Sequence, residues 1–245
     1  MKILVTNDDG LLAEGIQVLA SVLRAKHEVW VVAPASNRSG VSHGLSMNEP
    51  LRIKREGTGV FSCSGLPVDC VLSGVNAILD GKPDVVISGI NRGANLGTDI
   101  VFSGTAAAAR QAALNGLPGI ALSLVSGDET FLWEPLARFA LDNLEGLVSL
   151  CERDVFVNVN AASLSSYRGA RMTTVSRRVY NDSVVLREAP DGHTYSFFVG
   201  GEIGTDGTES SDWRAVEDGF VSVSRVYAQP VDRHESRFDG LVFRV

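Results

Sequence analysis

The chain has 245 residues, 44% of them hydrophobic, which is enough apolar mass for a large core. Its formal net charge is −7 and it contains no basic block, which argues against gripping a nucleic-acid duplex by its phosphates. Three cysteines, Cys63, Cys70 and Cys151, fit neither a disulfide framework nor a zinc-ligand spacing, and no apolar run reaches membrane-spanning length.

The first strand reads Lys2–Thr6. Its apolar run, Ile3 to Val5, is too short for the core of a signal peptide, so a soluble, cytoplasmic protein without a membrane partner is expected. Further strands are expected at Glu28–Ala33, Val60–Ser62, Asp84–Ser88, Gly119–Leu124 and Val155–Val159. Between them, Gly15–Lys26, Val68–Leu79, Thr105–Leu114 and Thr130–Leu150 carry apolar residues at helical spacing or are rich in alanine. Such alternation implies an α/β fold, a mostly parallel sheet with helices on both faces.

The texture changes from about residue 165. Arg171–Tyr180, Ser183–Glu188, Thr194–Val199 and Phe220–Val226 read as strands, with a hairpin turn at Pro190-Asp191-Gly192 and a loop over Gly200–Gly207. The expectation is a single domain over 1–245. Residues 1–165 form an α/β core carrying the site, and 166–245 form a β-rich hairpin extension that serves association.

Chemistry concentrates where strands end. Asn7-Asp8-Asp9-Gly10 follows the first strand, and in an open α/β sheet that end is where ligands sit. Two adjacent carboxylates repel, so one is protonated or a cation holds both; Mg²⁺ takes carboxylates together with water and phosphate oxygens. The same four residues read equally well as a turn and a helix cap. The loops Pro34–Gly40 and Ser88–Gly97 follow other parallel strands and can converge on the first. Ser39 and Asn91 would add hard, neutral oxygen ligands; taken singly, each reads more readily as a turn cap.

Ser103-Gly104-Thr105 opens the alanine-rich helix and offers unpaired N–H groups to an anion, or serves as an ordinary cap. Arg38 and Arg92 lie in site loops and are candidate phosphate partners or solvated charges; His43 is a candidate substrate contact or a bystander. No Gly-x-Gly-x-x-Gly fingerprint and no P-loop occurs, which disfavours a nicotinamide dehydrogenase.

Taken in order, Asn7-Asp8-Asp9-Gly10, Ala33-Pro34 with Asn37-Arg38-Ser39-Gly40, Ser88-Gly89-Ile90-Asn91 with Gly93, Asn95-Leu96-Gly97, and Ser103-Gly104-Thr105 resemble the SurE family of metal-dependent nucleotidases. The match runs from residue 1 to about 125, with later echoes at Asn158-Val159-Asn160, the Thr205-Asp206 and Asp212-Trp213 region, and Val221-Ser222-Val223.

The resemblance implies a Rossmann-like core and one divalent cation per subunit, Mg²⁺ or Mn²⁺. Asp8, Asp9, Ser39 and Asn91 would hold the cation, and Asn95, Ser103, Gly104 and Thr105 would line the phosphate pocket. It also implies hydrolysis of nucleoside 5′- and often 3′-monophosphates, short polyphosphate in some members, and a homodimer or homotetramer joined through the C-terminal part. Departures such as Phe197-Phe198 and Ser224-Arg225-Val226 lie in the second half and bear on assembly and base preference. The expected chemistry is attack by a metal-activated water, with Asp8 or Asp9 orienting it. Two alternatives are an aspartyl-phosphate on Asp8, although that chemistry usually shows Asp-x-Asp, and a nucleotide-binding protein without turnover.

Overall fold

The computed structural model describes residues 1–231. The first half contains β1 (Lys2–Thr6), α1 (Glu14–Leu23), β2 (Glu28–Pro34), β3 (Ile53–Gly57), β4 (Val60–Cys63), α2 (Pro67–Ser73) and β5 (Val85–Arg92). A 3-10 turn at Gly97–Val101 leads into α3 (Gly104–Leu114), followed by β6 (Gly119–Val125), α4 (Trp133–Asp142), α5 (Leu144–Ser149) and β7 (Val155–Ala162). The remainder forms β8 (Ala170–Thr173), β9 (Arg177–Tyr180), β10 (Ser183–Glu188), β11 (Thr194–Val199), β12 (Ile203–Asp206), α6 (Asp212–Glu217) and β13 (Val221–Tyr227).

Nine strands make the central sheet in the order β3-β4-β2-β1-β5-β6-β7-β13-β8. From β4 to β7 all neighbours are parallel, as the alternating pattern requires. Successive residues of a strand point to opposite faces, and both faces of β1 are apolar because both are covered. Ile3 and Val5 pack with Ile16, Leu19 and Leu23 of α1 and Leu136 of α4. Leu4 packs on the other face with Cys70 and Val71 of α2 and Ala108 and Ala112 of α3. The small side chains of α3 let that helix, which opens the site, lie close on the sheet, with Ala106 to Ala109 all fully buried.

Several segments depart from the sequence reading for identifiable reasons. The helix expected over Thr130–Leu150 is two, α4 and α5, because the backbone leaves helical values at Asn143, with φ −110° and ψ 13°. The strand expected over Arg171–Tyr180 is also two. β8 joins the central sheet beside β13, while β9 pairs with β12, which occupies part of the segment expected to be a loop. β3 has no apolar stripe, since all five of its residues are exposed; its charges suit an unpaired sheet edge. The hairpin of β10 and β11 forms as expected, in register from Ser183↔Val199 to Glu188↔Thr194.

β13, expected at Phe220–Val226, lies inside the central sheet between β7 and β8. The last part of the β-rich segment, 232–245, falls outside the described residues. Among those described, no helix is long and apolar enough to cross a membrane.

Candidate active site

The order of the central sheet reverses between β1 and β5: the chain winds outward from β1 through β2 to β4, then returns to lay β5 on the other side of β1. Open α/β sheets hold their ligands at the carboxyl ends of the strands at such a point. Asp8 and Asp9 follow β1 there, and Asn91 lies at the end of β5. The β5–β6 register shifts between Ser88 and Asn91, a bulge of the kind that re-aims side chains beside sites.

The Asp8–Asp9 turn is shaped from within. Asn7, fully buried, donates from Nδ2 to the Gly10 carbonyl at 2.9 Å and accepts the Gly10 N–H at 3.2 Å. Gly10 has φ +100°, which a side chain rarely adopts. The motif is therefore a closed turn and not a helix cap, since α1 begins later, with Ala13 as its N-cap.

Asp8 is 4% exposed and both its oxygens are engaged by Thr105, 97 residues away. Thr105 Oγ1 donates to Oδ1 at 2.5 Å and the Thr105 N–H to Oδ2 at 3.1 Å. Burial pushes the Asp8 carboxyl above its ordinary range, and the Thr105 contacts draw it part of the way back. Burial also raises Asp9; the Arg92 N–H, donated to Asp9 Oδ2 at 2.9 Å, opposes the rise, and the neighbouring Asp8 charge adds to it.

A cleft of about 300 Å³ gathers Asp8, Ser39, Asn91, Asn95 and Ser103, with Asp99, Phe102 and Tyr180 on its wall. Asn91 commits Nδ2 to the Gly93 carbonyl at 3.0 Å, which leaves its amide oxygen as an acceptor. Asn95 is seated from behind. Its Nδ2 donates to Ser123 Oγ at 2.7 Å, its N–H to Asn160 Oδ1 at 2.9 Å, and its carbonyl accepts from Asn158 and Asn160. Ser103 caps α3, accepting the Ala106 N–H at 3.0 Å, and its hydroxyl proton remains to be donated.

Gly104 is required by close approach: a Cβ there would lie 2.8 Å from Asp8 Cβ and 2.9 Å from Asp8 Oδ2.

The donor set suits a hard divalent cation. Burial raises both carboxylates, Asp8 has no positive side chain against it and Asp9 only Arg92, and the oxygens of Ser39 and Asn91 are neutral and hard. Among the described residues no group of three or more His, Cys, Asp or Glu is placed to hold a metal, so such a site depends on those neutral oxygens.

Five residues singled out in the sequence lie off the cleft wall; of these, Asp9 lines an adjoining cleft with Asn37 and Arg92, and Gly104 packs against Asp8. Thr105 is fully buried behind Asp8, with its donors committed to that carboxylate. Arg38 sends Nη2 to the Ser64 carbonyl at 3.0 Å, while its N–H donates to the Asp8 carbonyl at 2.7 Å, so it ties the Ser39 loop down. His43 turns to Gln111, with Nε2 and Oε1 3.0 Å apart, and lines a separate cavity with Arg110 and Tyr227. Conversely, Phe102 and Tyr180 are cleft residues that motif reading passes over. Phe102 was detectable as an apolar residue abutting Ser103, whereas nothing in the sequence connects Tyr180 to a loop 78 positions earlier.

Asp212 joins the C-terminal part to the site. Fully buried, it accepts the Gly97 N–H at 2.7 Å, the Ser176 N–H at 2.9 Å and the Trp213 N–H at 2.8 Å.

Fold and cleft together define a doubly wound α/β domain with paired carboxylates, neutral oxygens and a helix N-terminus at its switch point. The chain belongs to the SurE family: the family model described as Survival protein SurE matches residues 3–182. It is 41% identical over 256 aligned residues to a protein of Thermosipho melanesiensis named 5′-nucleotidase SurE, all of both chains being covered. A protein of the same name from Syntrophotalea carbinolica is 43% identical, with 93% of this chain and 91% of that one aligned. The crystal structure of SurE protein from Aquifex aeolicus superposes with a TM-score of 0.83 at 34% identity, covering 95% of each chain. These agree with the α/β architecture and the family resemblance read from the sequence.

Proposed function

We propose that the chain is a metal-dependent 5′-nucleotidase, a phosphoric monoester hydrolase that cleaves nucleoside 5′-monophosphates to nucleoside and phosphate. The observation that carries this is the single cleft in which Asp8, Ser39 and Asn91 stand with Asn95 and Ser103 beside the start of α3. The name 5′-nucleotidase SurE borne by full-length relatives supports it. Nucleoside 3′-monophosphates and short-chain polyphosphate fit the same chemistry as further substrates, because only the phosphoryl end need enter the polar part of the cleft.

Asp8, Asp9, Ser39 and Asn91 would hold one divalent cation per subunit, Mg²⁺ or Mn²⁺. When bound, it supplies positive charge that acidifies a neighbouring water and offsets the phosphoryl oxygens. Asp8 is fixed by Thr105 and holds its position. Asp9 is less buried, with Oδ2 engaged by the Arg92 N–H; it orients the water and accepts its proton. The water oxygen forms a bond to phosphorus as the ester P–O bond breaks, and the leaving nucleoside oxygen takes up a proton. Ser103 Oγ and the Asn95 amide face charge that grows on the phosphoryl oxygens, while the first N–H groups of α3 are spent on Asp8 and Ser103.

Phosphate release from 5′- and 3′-nucleoside monophosphates, with Mg²⁺, Mn²⁺ or EDTA, tests the proposal. Release is expected with metal and not with EDTA. Asp8→Asn and Asp9→Asn are each expected to lower kcat/KM by at least about 10³-fold with an unchanged circular dichroism spectrum. Turnover indifferent to EDTA, or wild-type rates in either variant, overturns it.

Assembly and location belong to the same proposal: a homodimer or homotetramer in the cytoplasm, joined through the C-terminal part. The β10–β11 hairpin presents Val184, Leu186, Phe197 and Phe198 to solvent, and Phe198 is 72% exposed. Apolar area of that kind marks association surfaces. Phe198→Asp with Leu186→Asp is expected to reduce the mass measured by light scattering; an unchanged mass excludes the hairpin as the joint.

A further inference from the structure

The cleft that holds Asp8 also has an aromatic wall, Phe102 and Tyr180. Phe102 immediately precedes Ser103, and its side chain is 53% exposed. The backbone beneath it is fixed: the Phe102 N–H donates to the Asp99 carbonyl at 3.0 Å, and the Phe102 carbonyl accepts the Ser42 N–H at 3.0 Å. Tyr180, carried in on β9, meets the Phe102 ring edge-on, with centroids 6.1 Å apart and planes at 83°. The Tyr180 hydroxyl donates to Asp99, and Asp99 is paired with Arg178 at 3.6 Å. Arg178 is secured in turn by its N–H to Thr98 Oγ1 and its Nη1 to Thr205 Oγ1, each at 3.0 Å. A locked support thus backs an exposed ring at the rim of the phosphate end.

A second aromatic residue stands near the carboxylates. Phe131 lines an adjoining cleft that contains Asp9 and shares Arg92 with the first, but contains neither Asn95 nor Ser103. Its ring is already taken up: Trp133 stacks on it at 4.9 Å with planes at 13°, and the Arg92 guanidinium lies 5.1 Å from its centroid. The Phe102 ring, by contrast, meets its aromatic neighbour only edge-on.

Resting on the nucleotidase reading, we infer that Phe102, supported by Tyr180, is the surface on which the base of the nucleotide stacks, so that the cleft favours purine over pyrimidine monophosphates. Stacking is available to every base and grows with ring area, so it confers this preference without hydrogen-bond readout.

The test compares AMP with ribose 5-phosphate, which keeps the 5′ ester and lacks the base. Phe102→Ala is expected to raise KM for AMP about tenfold, the effect of one lost stack, while leaving kcat and the KM for ribose 5-phosphate unchanged. Phe102→Trp is expected to restore the AMP value, and its tryptophan fluorescence to be quenched by AMP but not by ribose 5-phosphate. Equal shifts for both substrates, no shift for either, or a selective AMP defect in Phe131→Ala instead, overturn the inference and leave the nucleotidase reading standing. A wild-type protein that cleaves ribose 5-phosphate but not AMP sinks both.

Discussion

Thr105 gives both of its donors to one carboxylate, its hydroxyl to Asp8 Oδ1 and its N–H to Asp8 Oδ2. The contact spans 97 residues and fastens the start of α3 to the end of β1. A group that looks like part of an anion cradle is thereby spent on holding a metal-ligand candidate. Thr105→Val keeps the shape and removes the hydroxyl. It is expected to cost about 1–3 kcal/mol of stability and to lower kcat/KM, with Thr105→Ser restoring both. Denaturant melts and phosphate release on the three proteins check this.

Gly104→Ala brings a methyl group to within 2.8 Å of Asp8 Cβ and 3.1 Å of Pro67 Cγ. α3 and the Asp8 turn must then separate. The expected result is a loss of about 1–3 kcal/mol and weakened Mn²⁺ binding by titration calorimetry. Unaltered Mn²⁺ affinity would show that the turn tolerates the displacement.

Asp212→Asn turns one acceptor oxygen into a donor facing an N–H, at Gly97 or at Ser176. A charged acceptor lost in a buried place costs about 1.5–3 kcal/mol. The segments it ties carry Asn95 to Phe102 on one side and Tyr180 on the other. KM for AMP is therefore expected to rise more than kcat falls, which steady-state kinetics separates.

His43 is held below the ordinary imidazole value of 6.5 by burial, opposed by its Gln111 contact and aided by Arg110. The unfolded chain then binds the proton more readily than the folded one. Stability falls as pH drops from 6.5 through the lowered folded value and is regained above 6.5. Between about pH 7.5 and about pH 5, the wild type is expected to lose more Tm than His43→Gln. His27, lowered in the same direction, is present in both proteins and cancels.

Much of this was legible in the chain. β1 and the Asp8–Asp9 turn are local features, an apolar run ending in charge, and parallel strands put successive loops at one edge whatever the details. Ser39 and Asn91 lie on loops which that geometry brings to the edge, whereas Asn95 came from the family resemblance and Ser103 from its place at a helix start. β3 was not legible because Ile53–Gly57 is a charged edge whose only reason to be a strand is β4. The split of α4 from α5 is a departure of the backbone at Asn143, which the continuous apolar pattern does not show. Tyr180 and Asp212 reach the site through tertiary pairing of β9 and α6, which leaves no period in the sequence. His43 was misleading for the opposite reason: proximity in the chain to Ser39 did not survive the turn at Ser42, where φ is +53°.

The placement of β13 between β7 and β8 has a bearing on synthesis. A ribosome releases β1, α1 and the carboxylate turn ahead of β8, and β8 well before β13, its one partner in the sheet among the described residues. Until residues 221–227 emerge and insert, β7 has an open edge and β8 has nowhere to dock. Asp212, which secures the Gly97 and Ser176 segments, arrives only shortly before. A nascent or truncated chain ending ahead of these residues holds every candidate metal ligand yet lacks the ties that assemble the cleft.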